Sequence, residues 1–119
     1  MARILLAEDD DSMRAFLSRA IEKAGHAVVA VADGAAALPL LQHDSFDLLL
    51  TDIVMPEMDG IELAQRARAQ DPALKVVFIT GFAAVAMNQN ERLSEEVAVL
   101  SKPFHLKDVA GEIDRLLAA

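Results

Sequence analysis

Leu48-Leu49-Leu50-Thr51-Asp52-Ile53-Val54-Met55-Pro56-Glu57-Met58-Asp59-Gly60 is the stretch on which the reading of this chain turns. Three leucines and a β-branched threonine lead, without polar alternation, to one carboxylate. Pro56 and the Asp59-Gly60 pair then turn the chain. An apolar run of this kind reads as a strand covered on both faces, so Asp52 is the acid that a buried strand delivers to an edge. Glu8 and Asp9, Thr80, and Lys102 stand in the same way, each just past an apolar run.

Working outward, Arg3 to Ala7 is a short apolar strand ending in four acids, Glu8 to Asp11. Asp10 or Asp11 can cap a helix whose apolar positions Met13, Phe16, Leu17, Ala20, Ile21 and Ala24 share one face, and Gly25 ends it. Ala27 to Val31 is a second strand. Ala35 to Gln42 is a weaker helix opened by Asp33-Gly34, and Pro39 inside it is expected to kink or shorten it. Phe46 to Thr51 is the third strand and Ile61 to Ala69 a helix that closes ahead of Asp71-Pro72. Lys75 to Thr80 and Val97 to Leu100 are the fourth and fifth strands. The segment 83–92 is ambiguous, and Leu106 to Leu117 is a final amphipathic helix. Strands alternating with helices give a parallel sheet with right-handed crossovers, a three-layer open α/β domain with helices on both faces.

The composition narrows the function classes. The chain has 119 residues, enough for one domain, and 54% of them are hydrophobic. A net charge of −8 argues against a nucleic-acid surface. The absence of cysteine removes thiol chemistry and disulfides. The N-terminus turns acidic too early for a signal peptide, and no uncharged run reaches the length of a membrane span, so a cytoplasmic protein is expected.

In a parallel sheet all strands end on one edge, and ligands bind where the strand order reverses. The common small order 2-1-3-4-5 sets the first strand beside the third. Glu8 and Asp9 then face Asp52, and Thr80 and Lys102 can converge on them. Three carboxylates together call for a cation, and an oxygen-only donor set with few protein ligands suits Mg²⁺ beside a phosphate oxygen. A hydroxyl and an ammonium complete a cradle for a tetrahedral anion. The implied chemistry is phosphoryl transfer onto a carboxylate.

The set Ala7-Glu8-Asp9-Asp10, Asp52 with Met55-Pro56-Glu57-Met58-Asp59-Gly60, Thr80-Gly81 and Lys102-Pro103-Phe104 resembles the receiver domain of two-component response regulators over essentially the whole chain. The resemblance implies a flavodoxin-like fold of five parallel strands, and the order 2-1-3-4-5 is inherited from it rather than derived. It implies one receiver domain over 1–119 with no output domain. It implies that Asp52 accepts a phosphoryl group from a histidine kinase or phosphotransfer protein. Glu8, Asp9, Asp52 and the main-chain carbonyl of Val54 would hold Mg²⁺, Thr80 and Lys102 would meet the phosphoryl oxygens, and the Lys102-Pro103 bond would be cis. Beyond its own phosphorylation and slow dephosphorylation, no enzyme activity is implied.

A narrower similarity is to single-domain regulators that steer substrate degradation by the ClpXP protease, phosphorylation switching that role off. It rests on Leu5-Leu6-Ala7-Glu8-Asp9-Asp10, on the stretch from Thr51 to Ala64, on Phe78-Ile79-Thr80-Gly81-Phe82-Ala83-Ala84-Val85-Ala86, and on Leu100-Ser101-Lys102-Pro103-Phe104-His105-Leu106. The sequence departs from the family at Val99, where receivers usually carry an aromatic, and at Glu8, where Asp is commoner. Switching is then expected to involve Phe82, Val99, Phe104 or the segment 83–99, which is short of helix signal and expected to be mobile.

Each residue also has a plainer reading. Asp52 could cap a turn, Glu8 and Asp9 could be a helix-start charge cluster, Thr80 a strand residue and Lys102 a surface cation. Taken together and in order, they favour the site. Asp10 and Asp11 read as caps, and His26, His43 and His105 share no metal spacing. Leu116-Leu117-Ala118-Ala119 reads most simply as a helix end, though it also resembles an unfoldase-recognised tail. A phosphorelay intermediate and a phosphate-independent binding domain remain alternative functions.

Overall fold

The computed structural model describes residues 2–55, 57–80, 97–101 and 106–118, with Thr80, the stretch 97–101 and Leu106 described by backbone alone. Strands β1 (Arg3–Ala7), β2 (Ala27–Val31), β3 (Leu48–Asp52), β4 (Lys75–Thr80) and β5 (Val97–Ser101) form one parallel sheet in the order β2-β1-β3-β4-β5. Helices α1 (Asp11–Lys23), α2 (Gly34–His43) and α3 (Gly60–Gln70) connect them, and a C-terminal helix spans Leu106–Ala118.

The apolar strands divide their side chains between two cores, as a period of two requires. Ile4, Leu6, Leu48, Leu50, Val77 and Ile79 meet Leu17 and Ile21 of α1 and Val109, Ile113 and Leu116 of the C-terminal helix. Leu5, Ala7, Leu49, Val76 and Phe78 meet Ala37 of α2 and Leu63, Ala64 and Ala67 of α3. Every residue of β3 is buried, so the central strand has helices over both faces. Leu116 is fully buried in the first core, which fits the plainer reading of the C-terminal leucines as the end of a packed helix.

The caps follow the acids. Asp10 Oδ1 accepts the Met13 amide at 2.8 Å, Asp33 Oδ1 the Ala36 amide at 2.7 Å, and Asp59 Oδ1 the Glu62 amide at 2.8 Å. Gly25 has φ 95° where the chain leaves α1.

Two expected boundaries are corrected. The third strand begins at Leu48, not Phe46. Phe46 is buried as expected of a strand residue, but the carboxylate of Asp47, rather than a strand carbonyl, takes the Arg3 amide at 2.8 Å. Pro39 does not shorten its helix, which continues to His43. The missing amide forfeits one helical bond, while the Asp33 cap and a closing bond from the Asp44 amide to the Leu40 carbonyl at 2.8 Å secure both ends.

Candidate acidic site at the sheet edge

β1 and β3 are neighbours in register, with Ala7 opposite Thr51. The next residue on each strand is therefore an acid, Glu8 beside Asp52. Ligand oxygens of Glu8, Asp9 and Asp52 all lie within 4.8 Å of one another. Glu8 is fully buried, Asp52 is 6% exposed and Asp9 opens to solvent. Two unit charges at that separation repel by roughly 3–4 kcal/mol at an effective dielectric of about 20. The cluster is thus a place where a cation relieves a cost, and its donors are all carboxylate oxygens. That set fits a hard divalent cation and not a soft one.

Both acids of the sheet edge are held from behind. The Glu8 amide donates to the Val31 carbonyl at 3.1 Å, which ties the end of β1 to β2. Glu8 Oε2 accepts the Asp10 amide at 3.0 Å, and the Glu8 carbonyl accepts from the Arg14 guanidinium at 3.0 Å. Arg14 also bonds Asp11 at 2.6 Å, so the first turn of α1 and the end of β1 form one unit. On β3, the buried Thr51 hydroxyl donates to the Asp52 carbonyl at 3.0 Å.

The loop after Asp52 is closed by Gly60. Its amide donates to the Ile53 carbonyl at 2.8 Å, and a Cβ on it would lie 1.9 Å from the Asp52 carbonyl oxygen. Only glycine permits that approach. Within the loop Glu57 has φ 67°, a left-handed backbone that costs a non-glycine residue about 1–2 kcal/mol. Met58 packs against Gly34, where an added Cβ would meet the Met58 carbonyl at 3.0 Å. Val54, the expected carbonyl donor, is 63% exposed at this turn.

The sheet brings Thr80 to the same edge: Asp52 is opposite Ile79, and Thr80 follows, opposite Ser101. Val99 lies in β5 opposite Phe78, so residues 97–99 of the segment 83–99 are part of the sheet. Phe82, the rest of the segment expected to be mobile (83–96), Lys102, Pro103 with its expected cis bond, and Phe104 lie outside the described residues.

Sequence reasoning missed Arg14, Thr51 and Gly60. Asp59-Gly60 read as a turn, which was the available signal for Gly60; its contact with the Asp52 backbone had none. His26, which shares no metal spacing with the other histidines, is bonded within the fold: its Nδ1 accepts the Ala2 amide at 3.2 Å and its Nε2 lies 3.5 Å from Asp114.

Residues 4–114 match the response regulator receiver domain. The chain belongs to that family. It is 60% identical over 119 residues to the response regulator receiver protein CpdR of Brucella abortus, a match covering 100% of this chain and 99% of that one. It is 35% identical over 118 residues to the sensor kinase CckA of the same organism, covering 98% of this chain and 12% of the kinase. Among solved structures, a response regulator receiver protein from Sinorhizobium medicae superposes with a TM-score of 0.90 at 32% identity, covering 99% of this chain and 95% of that one. The receiver fold accounts for the acids meeting beyond the carboxyl ends of β1 and β3. Among the described residues no helix is long and apolar enough to cross a membrane.

Proposed function

We propose that this receiver domain is a phosphorylation-switched single-domain regulator in which Asp52 accepts a phosphoryl group from a histidine kinase or phosphotransfer protein. The observation that carries the reading is the gathering of Glu8, Asp9 and Asp52 within 4.8 Å, with Asp52 at the end of a wholly buried strand. A carboxylate oxygen of Asp52 attacks phosphorus. The phosphorus–nitrogen bond of the donor breaks, an acyl phosphate forms, and the imidazole leaves with its electron pair.

Glu8, Asp9, Asp52 and the Val54 carbonyl would hold Mg²⁺, which when bound offsets the negative charge of the phosphoryl oxygens. Asp9, open to solvent, is the flank from which a hydrated cation enters. Thr51, Gly60 and the Asp59 cap hold the Asp52 backbone, so that little reorganisation accompanies transfer. Thr80 and Lys102 are assigned to the remaining phosphoryl oxygens. With no output domain in the proposal, the altered surface is itself the output. The resemblance to CpdR-type regulators extends the reading to control of ClpXP proteolysis in the cytoplasm.

Beryllofluoride with Mg²⁺ mimics an aspartyl phosphate, and amide NMR tests the switch. Shifts are expected around Glu8, Asp52, Thr80 and Lys102, spreading into the segment 83–99, and absent in Asp52→Asn. An unresponsive spectrum would leave phosphate-independent binding as the function.

A further inference from the structure

We propose that Gly34 is a positioning residue for the metal site, and that its contact with Met58 sets the preference of that site for a small divalent cation over a larger one. The inference rests on the proposed Mg²⁺ reading of Glu8, Asp9, Asp52 and the Val54 carbonyl. Gly34 is the first residue of α2 and is buried. Its backbone is helical and not left-handed, so no conformational demand calls for glycine there, and alanine is the better helix former. The demand is for space. A Cβ at this position would meet the Met58 carbonyl oxygen at 3.0 Å, its Cβ at 3.2 Å and its Cγ at 3.4 Å.

Met58 belongs to the loop between β3 and α3, which carries the proposed main-chain donor, Val54. That loop is pinned at three points. The Gly60 amide closes its base on the Ile53 carbonyl at 2.8 Å. Met55, which is buried, turns its sulfur back to within 3.9 Å of the Thr51 hydroxyl. Met58 lies against Gly34. The first two points belong to the strand and helix that the loop joins, and the third is supplied by α2. The turn into α2 starts at Val31, whose carbonyl accepts the Glu8 amide at 3.1 Å. Residues 31–34 therefore touch the backbone of one acid of the site at one end and the loop bearing Val54 at the other. The Asp33 cap on the Ala36 amide, at 2.7 Å, and the buried Ala37 fasten this strap to α2 and the second core.

A strap of this kind fixes the spacing between donors on two separate segments. Mg²⁺ demands a nearly regular octahedron of oxygens at about 2.0–2.1 Å, whereas Ca²⁺ accepts irregular sets at about 2.3–2.6 Å. Fixed spacing therefore favours the smaller ion. A Cβ at position 34 obliges Met58 to give way by a few tenths of an ångström. A strict geometry loses by that shift and a tolerant one absorbs it. If Gly34 served only to pack α2 closely, the same substitution would weaken both cations alike.

Amide NMR titrations of the full chain with MgCl₂ and, separately, with CaCl₂ read the two dissociation constants. Scaled from a cost of roughly a hundredfold for a misplacement of about 1 Å, a shift of a few tenths corresponds to about fivefold. Gly34→Ala is expected to raise the Kd for Mg²⁺ by about that factor and the Kd for Ca²⁺ by less than about twofold. Gly111→Ala makes the same chemical change in the C-terminal helix, where an added Cβ meets nothing within 4 Å, and is expected to alter neither. Met58→Ala disturbs the contact from its other side and is expected to weaken Mg²⁺ more than Ca²⁺. Because the two residues touch, the double variant is expected to lose less than the product of the single losses. Circular dichroism shows which variants are folded; should Gly34→Ala not fold, the two constants of Met58→Ala decide in the same way. A native chain that binds no Mg²⁺ would overturn the reading of the site and this inference with it. Native binding of Mg²⁺ together with equal weakening of both cations, no weakening of either, or losses that multiply in the double variant would overturn the inference alone.

Discussion

Gly60→Ala is the substitution whose consequence the structure fixes most tightly. The new Cβ would lie 1.9 Å from the Asp52 carbonyl oxygen and 2.8 Å from its carbon. Reaching even 3.0 Å from that oxygen, a distance below which such contacts essentially do not occur, requires about 1.1 Å of displacement. Both obstructing atoms are backbone, so no side chain can swing aside. The movement must break the 2.8 Å bond from the Gly60 amide to Ile53, or lift the end of β3, or both. One backbone bond and a disturbed helix cap together cost about 2–3 kcal/mol. A reacting group displaced by about 1 Å loses roughly a hundredfold in rate. With no Trp or Tyr in the chain, unfolding in urea is followed by far-ultraviolet circular dichroism, and phosphorylation by mass spectrometry after mixing with acetyl phosphate and Mg²⁺. The expected variant is folded, about 2–3 kcal/mol less stable and about a hundredfold slower. Native stability together with a native rate would refute the steric reasoning.

Other consequences follow from the same geometry. Mg²⁺ is expected to raise the unfolding free energy, by about 2.7 kcal/mol at a hundredfold excess over Kd, and Asp9→Asn to remove most of that gain in a thermal-shift titration; an equal gain in the variant would exclude Asp9 as a ligand. Arg14→Ala deletes the 3.0 Å bond to the Glu8 carbonyl and is expected to cost about 1 kcal/mol in urea and to weaken Mg²⁺ binding. Arg14→Ala with an unchanged Kd for Mg²⁺ would mean that the arginine only steadies α1. Asp10→Ala removes the cap of α1 and is expected to cost about 1 kcal/mol, read from the urea midpoint.

The strands were legible because each is a compact apolar run, and those at the centre are buried on both faces. Leu48 to Leu50, with their side chains alternating between two cores, left no polar pattern that a helix could use. The edges of elements were less legible. Phe46 is as apolar and buried as a strand residue, yet the strand starts after Asp47, whose carboxylate takes over a bond to Arg3. That exchange of a side chain for a carbonyl has no signature in hydropathy. Glu8, Asp9 and Asp52 could be brought together on paper once the strand order was assumed, since Ala7 and Thr51 then end adjacent strands. Arg14 could not, because its partner is a main-chain carbonyl six residues away and its sequence position reads as an ordinary exposed face of α1. Thr51 was hidden in the same way, as a strand residue whose hydroxyl matters through one bond to the next carbonyl.

The central claim is that Asp52 is the residue that carries the phosphoryl group. Borohydride reduction converts an aspartyl phosphate to homoserine, so peptide mass spectrometry of the acetyl-phosphate-treated, reduced chain locates it directly. The account predicts homoserine at position 52 alone, dependent on Mg²⁺ and suppressed in Asp9→Asn. Homoserine at position 9, 10 or 11, or none at any position with Mg²⁺ present, would contradict it.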